Sequence, residues 1–127
     1  MAFSKKKRKE VYEKYCGRCA YCGSLIKYKD MQVDHVIPQH HYSEQYGCLI
    51  VNSRKFTDYG VHDMQNLKPA CRICNKFKAS FTLERFRSEL QAQVERARTY
   101  SANFRMAEKF NLISIKNQKI KFYFEAQ

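Results

Sequence analysis

Two cysteine pairs share one spacing, Cys19-x-x-Cys22 and Cys71-x-x-Cys74. That spacing lets two thiolates reach one ion from a single tight turn, and two such turns supply the four sulfurs that tetrahedral zinc accepts. Cys16 precedes Cys19 at the same spacing. Cys19 with Cys22 is the preferred pair, because Gly23 just after would free the turn to fold back on the metal. Cys16 and Cys48 then read as free thiols. Between the pairs lies Val33-Asp34-His35-Val36-Ile37-Pro38. A carboxylate binds a hard divalent cation, and an imidazole can take a proton from water near neutral pH. On an ideal strand the two would face opposite ways, but at a strand end the backbone bends and both can address one site. The competing reading of His35 is a hydrogen-bonded structural residue. His40 and His41 read as solvated loop residues. His62 and Asp63 read as loop chemistry, and as the first substitute should His35 prove dispensable.

The bulk composition narrows the partners. The chain has 127 residues, which suits one domain with one modest core. Its 24 Lys and Arg outnumber 12 Asp and Glu, for a formal charge of +12. A surface that basic attracts polyanions through counterion release, so nucleic acid is the expected partner. No apolar run reaches the roughly 18 residues that cross a bilayer, and the first residues lack a secretory apolar region. No membrane role and a cytoplasmic location are expected, with thiols kept reduced and available to metal.

Elements that could position these residues follow from periodicity. Residues 1–9 read as a basic tail, its Lys5 to Lys9 run resembling either a nuclear localisation signal or a nucleic-acid arm. A helix is expected over Glu10 to Tyr15, stopped near Gly17. Met31 to Ile37 alternates as a strand that Pro38 ends. Gln39 to Asp63 reads as a long surface loop, and Asn66 to Pro69 as a short extended piece. Leu83, Phe86, Leu90, Val94 and Ala97 recur at helical intervals after Thr82, with Arg85, Arg87, Arg96 and Arg98 on the other face. That face, with Arg85 foremost, could track a phosphate backbone or keep the helix soluble. Leu112 to Phe124 reads as a β-hairpin turning at Asn117-Gln118. Its apolar strands would pack on the long helix or pair with a second copy, giving a homodimer. The division expected is a tail at 1–9, a domain at 10–98 and an extension of that domain at 99–127.

Taken in order, Cys19-x-x-Cys22, Asp34-His35-x-x-Pro38 and Asn66-Leu67-x-Pro69-x-Cys71-x-x-Cys74-Asn75-x-x-Lys78 resemble the HNH endonuclease family in its cysteine-stapled, single-domain form. The resemblance covers residues 19–90. It implies an α+β fold with a ββα-metal (His-Me finger) core, a structural zinc on Cys19, Cys22, Cys71 and Cys74, and a catalytic divalent cation on Asp34 and Asn75. Asn75 stands where the family name promises histidine; its neutral amide oxygen suits Mg²⁺ or Mn²⁺ better than zinc. His35 would be the general base, Asn66 would orient its ring, and Lys78 would contact phosphate. The implied activity is hydrolysis of phosphodiester bonds in DNA, by cleavage or nicking. Two other readings compete: a zinc-stapled nucleic-acid-binding module without catalysis, and a ribonuclease on the same site.

Overall fold

A computed structural model describes residues 3–38 and 62–127, together with the backbone of three short strand segments between them. The expectations for His40, His41 and the Cys48 side chain lie outside the described residues. The chain divides into two compact units, residues 1–83 with 121–127, and residues 84–120.

The first unit opens with helix α1, Lys5–Glu13, whose N-cap Ser4 accepts the Lys7 N–H through its hydroxyl at 3.1 Å. The basic run expected to be a tail is therefore helical and anchored. Arg8 donates to the carbonyls of Tyr28 and Met31 at 2.9 and 2.7 Å, and Lys7 Nζ to that of His62 at 2.8 Å. Tyr12 donates to the Ile26 carbonyl at 2.7 Å, while Val11 is fully buried. These cations tie the run to backbone oxygens elsewhere in the first unit, which is why the run orders. Gly17 follows in the left-handed region (φ +77°), where its N–H closes on the Tyr12 carbonyl at 3.1 Å.

Strands β1 (Gln32–His35) and β5 (Leu67–Ala70) form a two-stranded antiparallel ribbon, in register Gln32↔Ala70 through His35↔Leu67. Helix α1 packs on β5. Helix α2, Arg72–Lys78, leaves directly from β5 and packs on β1. The segment expected to be an irregular loop holds a second sheet: β2 (Tyr42–Ser43), β3 (Cys48–Val51) and β4 (Arg54–Thr57), antiparallel in that order. The apolar run Cys48-Leu49-Ile50-Val51, two residues from a second run containing Phe56, is the hairpin signal that the surrounding polar residues obscure.

In the second unit the expected single helix is two, α3 (Leu83–Gln91) and α4 (Gln93–Tyr100), followed by α5 (Ala102–Lys109). The break at Ala92 is slight, since Ala92 N–H still reaches the Ser88 carbonyl and Arg96 N–H the Ala92 carbonyl, at 3.2 and 3.1 Å. Phe86 of the expected apolar stripe is buried. Arg98 holds α4 to α5, bonding Glu108 at 2.7 Å and Glu95 at 2.6 Å.

The C-terminal hairpin is absent among the described residues. Residues 113–122 carry no strand, and Tyr123–Ala126 is a 3₁₀ turn. Backbone groups that a partner strand would have served bond to helix side chains instead. Arg87 donates to the Ile120 carbonyl at 2.8 Å, and Gln91 spans the Gln118 carbonyl and the Ile120 N–H at 3.1 and 2.8 Å. The apolar alternation is consumed differently as well. In the first unit Phe122 is buried edge-on against Tyr21, ring centroids 5.3 Å apart, and Tyr123 and Phe124 N–H groups bond the carbonyls of Tyr21 and Ala20 at 3.0 and 2.8 Å. The homodimer expected from a hairpin edge loses its basis with that edge. No helix among the described residues is long and apolar enough to cross a membrane.

Candidate metal centre and the strand-end cluster

The four cysteines converge. The sulfurs of Cys19, Cys22, Cys71 and Cys74 all lie within 4.8 Å of one another, Cys22 to Cys71 at 3.9 Å. Zinc–sulfur arms of about 2.3 Å require tetrahedron edges of about 3.8 Å, so the cluster fits one zinc ion. The turn that brings Cys22 round depends on Gly23, which sits at φ +78° and donates to the Cys19 carbonyl at 2.9 Å. A Cβ there would meet the Tyr123 ring at 2.9 Å, so both conformation and space favour glycine. The second pair opens helix α2, where the Cys71 sulfur also accepts the Cys74 N–H at 3.4 Å as the N-cap. Protons are shared unevenly within the cluster. Hydrogen bonding with Cys74 pulls the Cys19 thiol down, and the same bond pushes Cys74 up.

Tyr21, between the ligands of the first pair, links this cluster to the ribbon. Its hydroxyl donates to Asp34 Oδ2, and the phenol is held well above its ordinary range by burial and by that carboxylate. Asp34 is 6% exposed and forms an ion pair at 3.1 Å with Lys78 Nζ, whose side chain is fully buried. Lys78 also donates to the His35 carbonyl at 3.0 Å. Burial raises the Asp34 carboxyl, and the Lys78 charge opposes that rise. Lys78 is thus turned into the protein against the strand end, not outward to the phosphate contact expected of it. The reason is helical spacing: a residue on the face of α2 that meets β1 points inward whatever its charge. Asn75, three residues earlier on α2, shares that face and is half-buried. A positive charge already sits on Asp34 in the form of Lys78.

Asn66 is buried and clamps the backbone past the strand end. Its Oδ1 accepts the Ile37 N–H at 2.8 Å, and its Nδ2 donates to the Ile37 carbonyl at 3.1 Å. Both ends of the amide thus fix the loop carrying Pro38, and act on His35 through its backbone. The His35 ring meets groups that sequence reasoning did not join to it. Its Nε2 lies 3.1 Å from His62 Nδ1, with the Phe3 ring 5.9 Å away. Half-burial, then the nearby charges of His62, Lys78 and Lys7, push its pKa down to about 4 from the ordinary 6.5. His35 is accordingly neutral at physiological pH. Tyr21, Lys7 and His62 carry no local sequence signal, since each acts on a residue distant in the chain.

The sign of the His35 shift gives a measurable consequence. Its folded pKa lies below the unfolded one, so the unfolded chain takes the proton first as pH falls. The contribution to stability is complete above about 6.5 and is lost as the pH drops through that value towards about 4. Urea midpoints measured across this window should fall with acid, and His35→Gln should flatten the slope. A variant slope equal to that of the wild type would place the acid sensitivity elsewhere.

Arg85 lies in the second unit, paired to Glu89 at 2.9 Å, and Arg96 reaches the same glutamate at 2.6 Å. Arg87 pairs with Glu84 at 3.3 Å. The arginine face expected to track phosphate is therefore interleaved with its own counter-ions, and its outward field is weaker than the sequence count implies.

No protein-family model and no curated protein sequence matches the chain. A Type II-C Cas9 enzyme from Actinomyces naeslundii is a structural neighbour, 22% identical, with a TM-score of 0.47 over 86% of this chain and 11% of that one. The chain thus spans about a tenth of that protein, and a likeness at this level leaves the functional argument to the site itself.

Proposed function

We propose that the chain is a metal-dependent endonuclease of the HNH type, hydrolysing phosphodiester bonds in DNA on a ββα-metal core. The observation that carries this reading is the convergence at one strand end. Asp34 and a neutral His35 end β1, antiparallel β5 lies beside it, and the helix bearing Asn75 crosses it directly from the four-cysteine cluster.

In this reading the zinc on Cys19, Cys22, Cys71 and Cys74 is structural, and Asp34 and Asn75 would hold the catalytic Mg²⁺ or Mn²⁺. When bound, that cation supplies Lewis acidity to a phosphate oxygen and to the departing 3′ oxygen. Neutral His35 removes a proton from the attacking water. The water oxygen bonds to phosphorus, the bond to the 3′ oxygen breaks, that oxygen takes a proton from solvent water, and the products are a 5′-phosphate and a 3′-hydroxyl. Asn66 holds the loop after His35 by its two bonds to Ile37, so the base does not drift from its strand. The excess of Lys and Arg supports attraction of the polyanionic substrate.

Supercoiled plasmid incubated with Mg²⁺ or Mn²⁺ should be relaxed or linearised, and a chelator should stop the reaction. His35→Ala should slow cleavage by on the order of 10²-fold or more, the usual scale for a lost general base, with DNA binding retained. Equal cleavage by wild type and variant would remove His35 from the chemistry. One observation favours a second reading, a zinc-stapled nucleic-acid-binding module: the Asp34 carboxylate is already paired with Lys78. Binding of plasmid without any cleavage, in either metal, would select it.

A further inference from the structure

His62 has no part in the ligand set or in the base assigned above, yet its side chain is aimed at that base. His62 Nδ1 stands 3.1 Å from His35 Nε2, and the two rings meet edge-on at 71° with centroids 5.2 Å apart. The contact is built rather than incidental. Lys7 of α1 bonds the His62 carbonyl at 2.8 Å, the Phe3 ring lies against both imidazoles, and the Asn66 N–H closes a turn on the Asp63 carbonyl at 2.8 Å just after His62.

Two facing imidazole nitrogens at this distance share one proton, so one donates and the other accepts. If His62 donates from Nδ1, both rings must carry their proton on Nδ1, the less stable form of a neutral histidine side chain. If His35 donates from Nε2, both rings are in the more stable Nε2–H form. The second arrangement makes the same hydrogen bond without that cost. It also leaves the proton-accepting lone pair of His35 on Nδ1. The bond made by one ring nitrogen decides which tautomer the other presents.

We propose that His62 is a positioning residue that holds His35 in its Nε2–H tautomer, so that Nδ1 is the atom that receives the proton of water. The tautomer assignment stands on the histidine pair alone; its catalytic meaning rests on the endonuclease reading. His62 thereby orients the ring of the base, while the Asn66 amide bonds the Ile37 backbone.

The test is long-range proton–nitrogen NMR of the zinc-loaded full chain, ¹⁵N-labelled at histidine, at a pH well above the ordinary imidazole value of about 6.5. His35 should show the Nε2–H pattern. His62→Ala should relax it to a mixture, in which Nε2–H remains the larger part but Nδ1–H becomes populated. His62→Asn, whose amide oxygen can stand where Nδ1 stood, should restore it. On plasmid, His62→Ala should lower kcat by about 10- to 100-fold with little change in KM, the scale typical of lost orienting partners, and His62→Asn should recover most of it. An Nδ1–H pattern in the wild type, or an unchanged pattern in His62→Ala, overturns the proposal. The wild-type spectrum alone decides the donor direction should the alanine variant not fold. The spectra do not depend on cleavage, so an inactive protein with the expected tautomers would sink the endonuclease reading and leave the pairing intact.

Discussion

Cys71→Ser is expected to leave no folded first unit at neutral pH. The buried apolar material around the ribbon is modest, chiefly Val11, Tyr21, Ile26, Met31, Leu67 and Phe122. Domains of this size are typically stable by about 5–15 kcal/mol, and a structural zinc site supplies an apparent 10–16 kcal/mol, so the ion accounts for most of the margin. Cys71 has a second duty as the N-cap of α2, the helix that carries Asn75 and Lys78 to the strand end. Serine can keep that cap through its hydroxyl, so the substitution isolates the loss of the metal ligand. Metal analysis should find one tightly held zinc per chain in the wild type. Chelation should abolish its circular-dichroism transition and zinc should restore it, whereas the variant should recover nothing. A Cys71→Ser protein melting like the wild type would mean that the cluster is not a staple.

Lys78→Met should destabilise the domain by about 3–5 kcal/mol, because it leaves the Asp34 carboxylate buried without its counter-charge. The ion pair is at 3.1 Å between side chains 0% and 6% exposed, so water cannot take over the missing partner. The lost bond to the His35 carbonyl adds to the cost. Removing both charges, as Lys78→Met with Asp34→Asn, should recover a substantial part, since the penalty belongs to the orphaned charge rather than to the lost pair. Urea titrations in magnesium-free buffer read this as a shift in midpoint at constant slope. A double variant as unstable as the single one would show that the lysine acts through packing alone.

The four-cysteine cluster and both ribbon strands were legible in the sequence because each is encoded locally. Cys-x-x-Cys spacing, the alternation ending at Pro38 and the short extended piece from Asn66 to Pro69 need no knowledge of the rest of the chain. Lys78 shows the limit of such reading: a lysine is expected in solvent, yet its place one turn past Asn75 commits it to the interior. The Lys5 to Lys9 run fails for the opposite reason. Its helix is fixed by carbonyls of Tyr28, Met31 and His62, which no window around residue 7 contains. At the C-terminus, alternation between Ile113 and Phe124 is a true apolar signal with a false partner. Phe122 meets Tyr21, while Arg87 and Gln91 take the backbone groups that a sister strand would have used.

The return of residues 121–127 to the first knuckle has a kinetic side. Tyr21 and Phe122 stand about a hundred residues apart in the chain, yet their rings pack together and the backbone between Ala20 and Phe124 is hydrogen-bonded. A contact so distant forms late, because loop closure must precede it. During synthesis the cysteine pairs emerge well before Phe122, so zinc can gather the ribbon while that aromatic seat beside Tyr21 is still empty. The entropy of closing the loop rises only by about 0.6 kcal/mol for each doubling of its length. The helical excursion of residues 84–120 is accordingly the part of the chain that can lengthen, shorten or be exchanged at least cost to the core around the four cysteines.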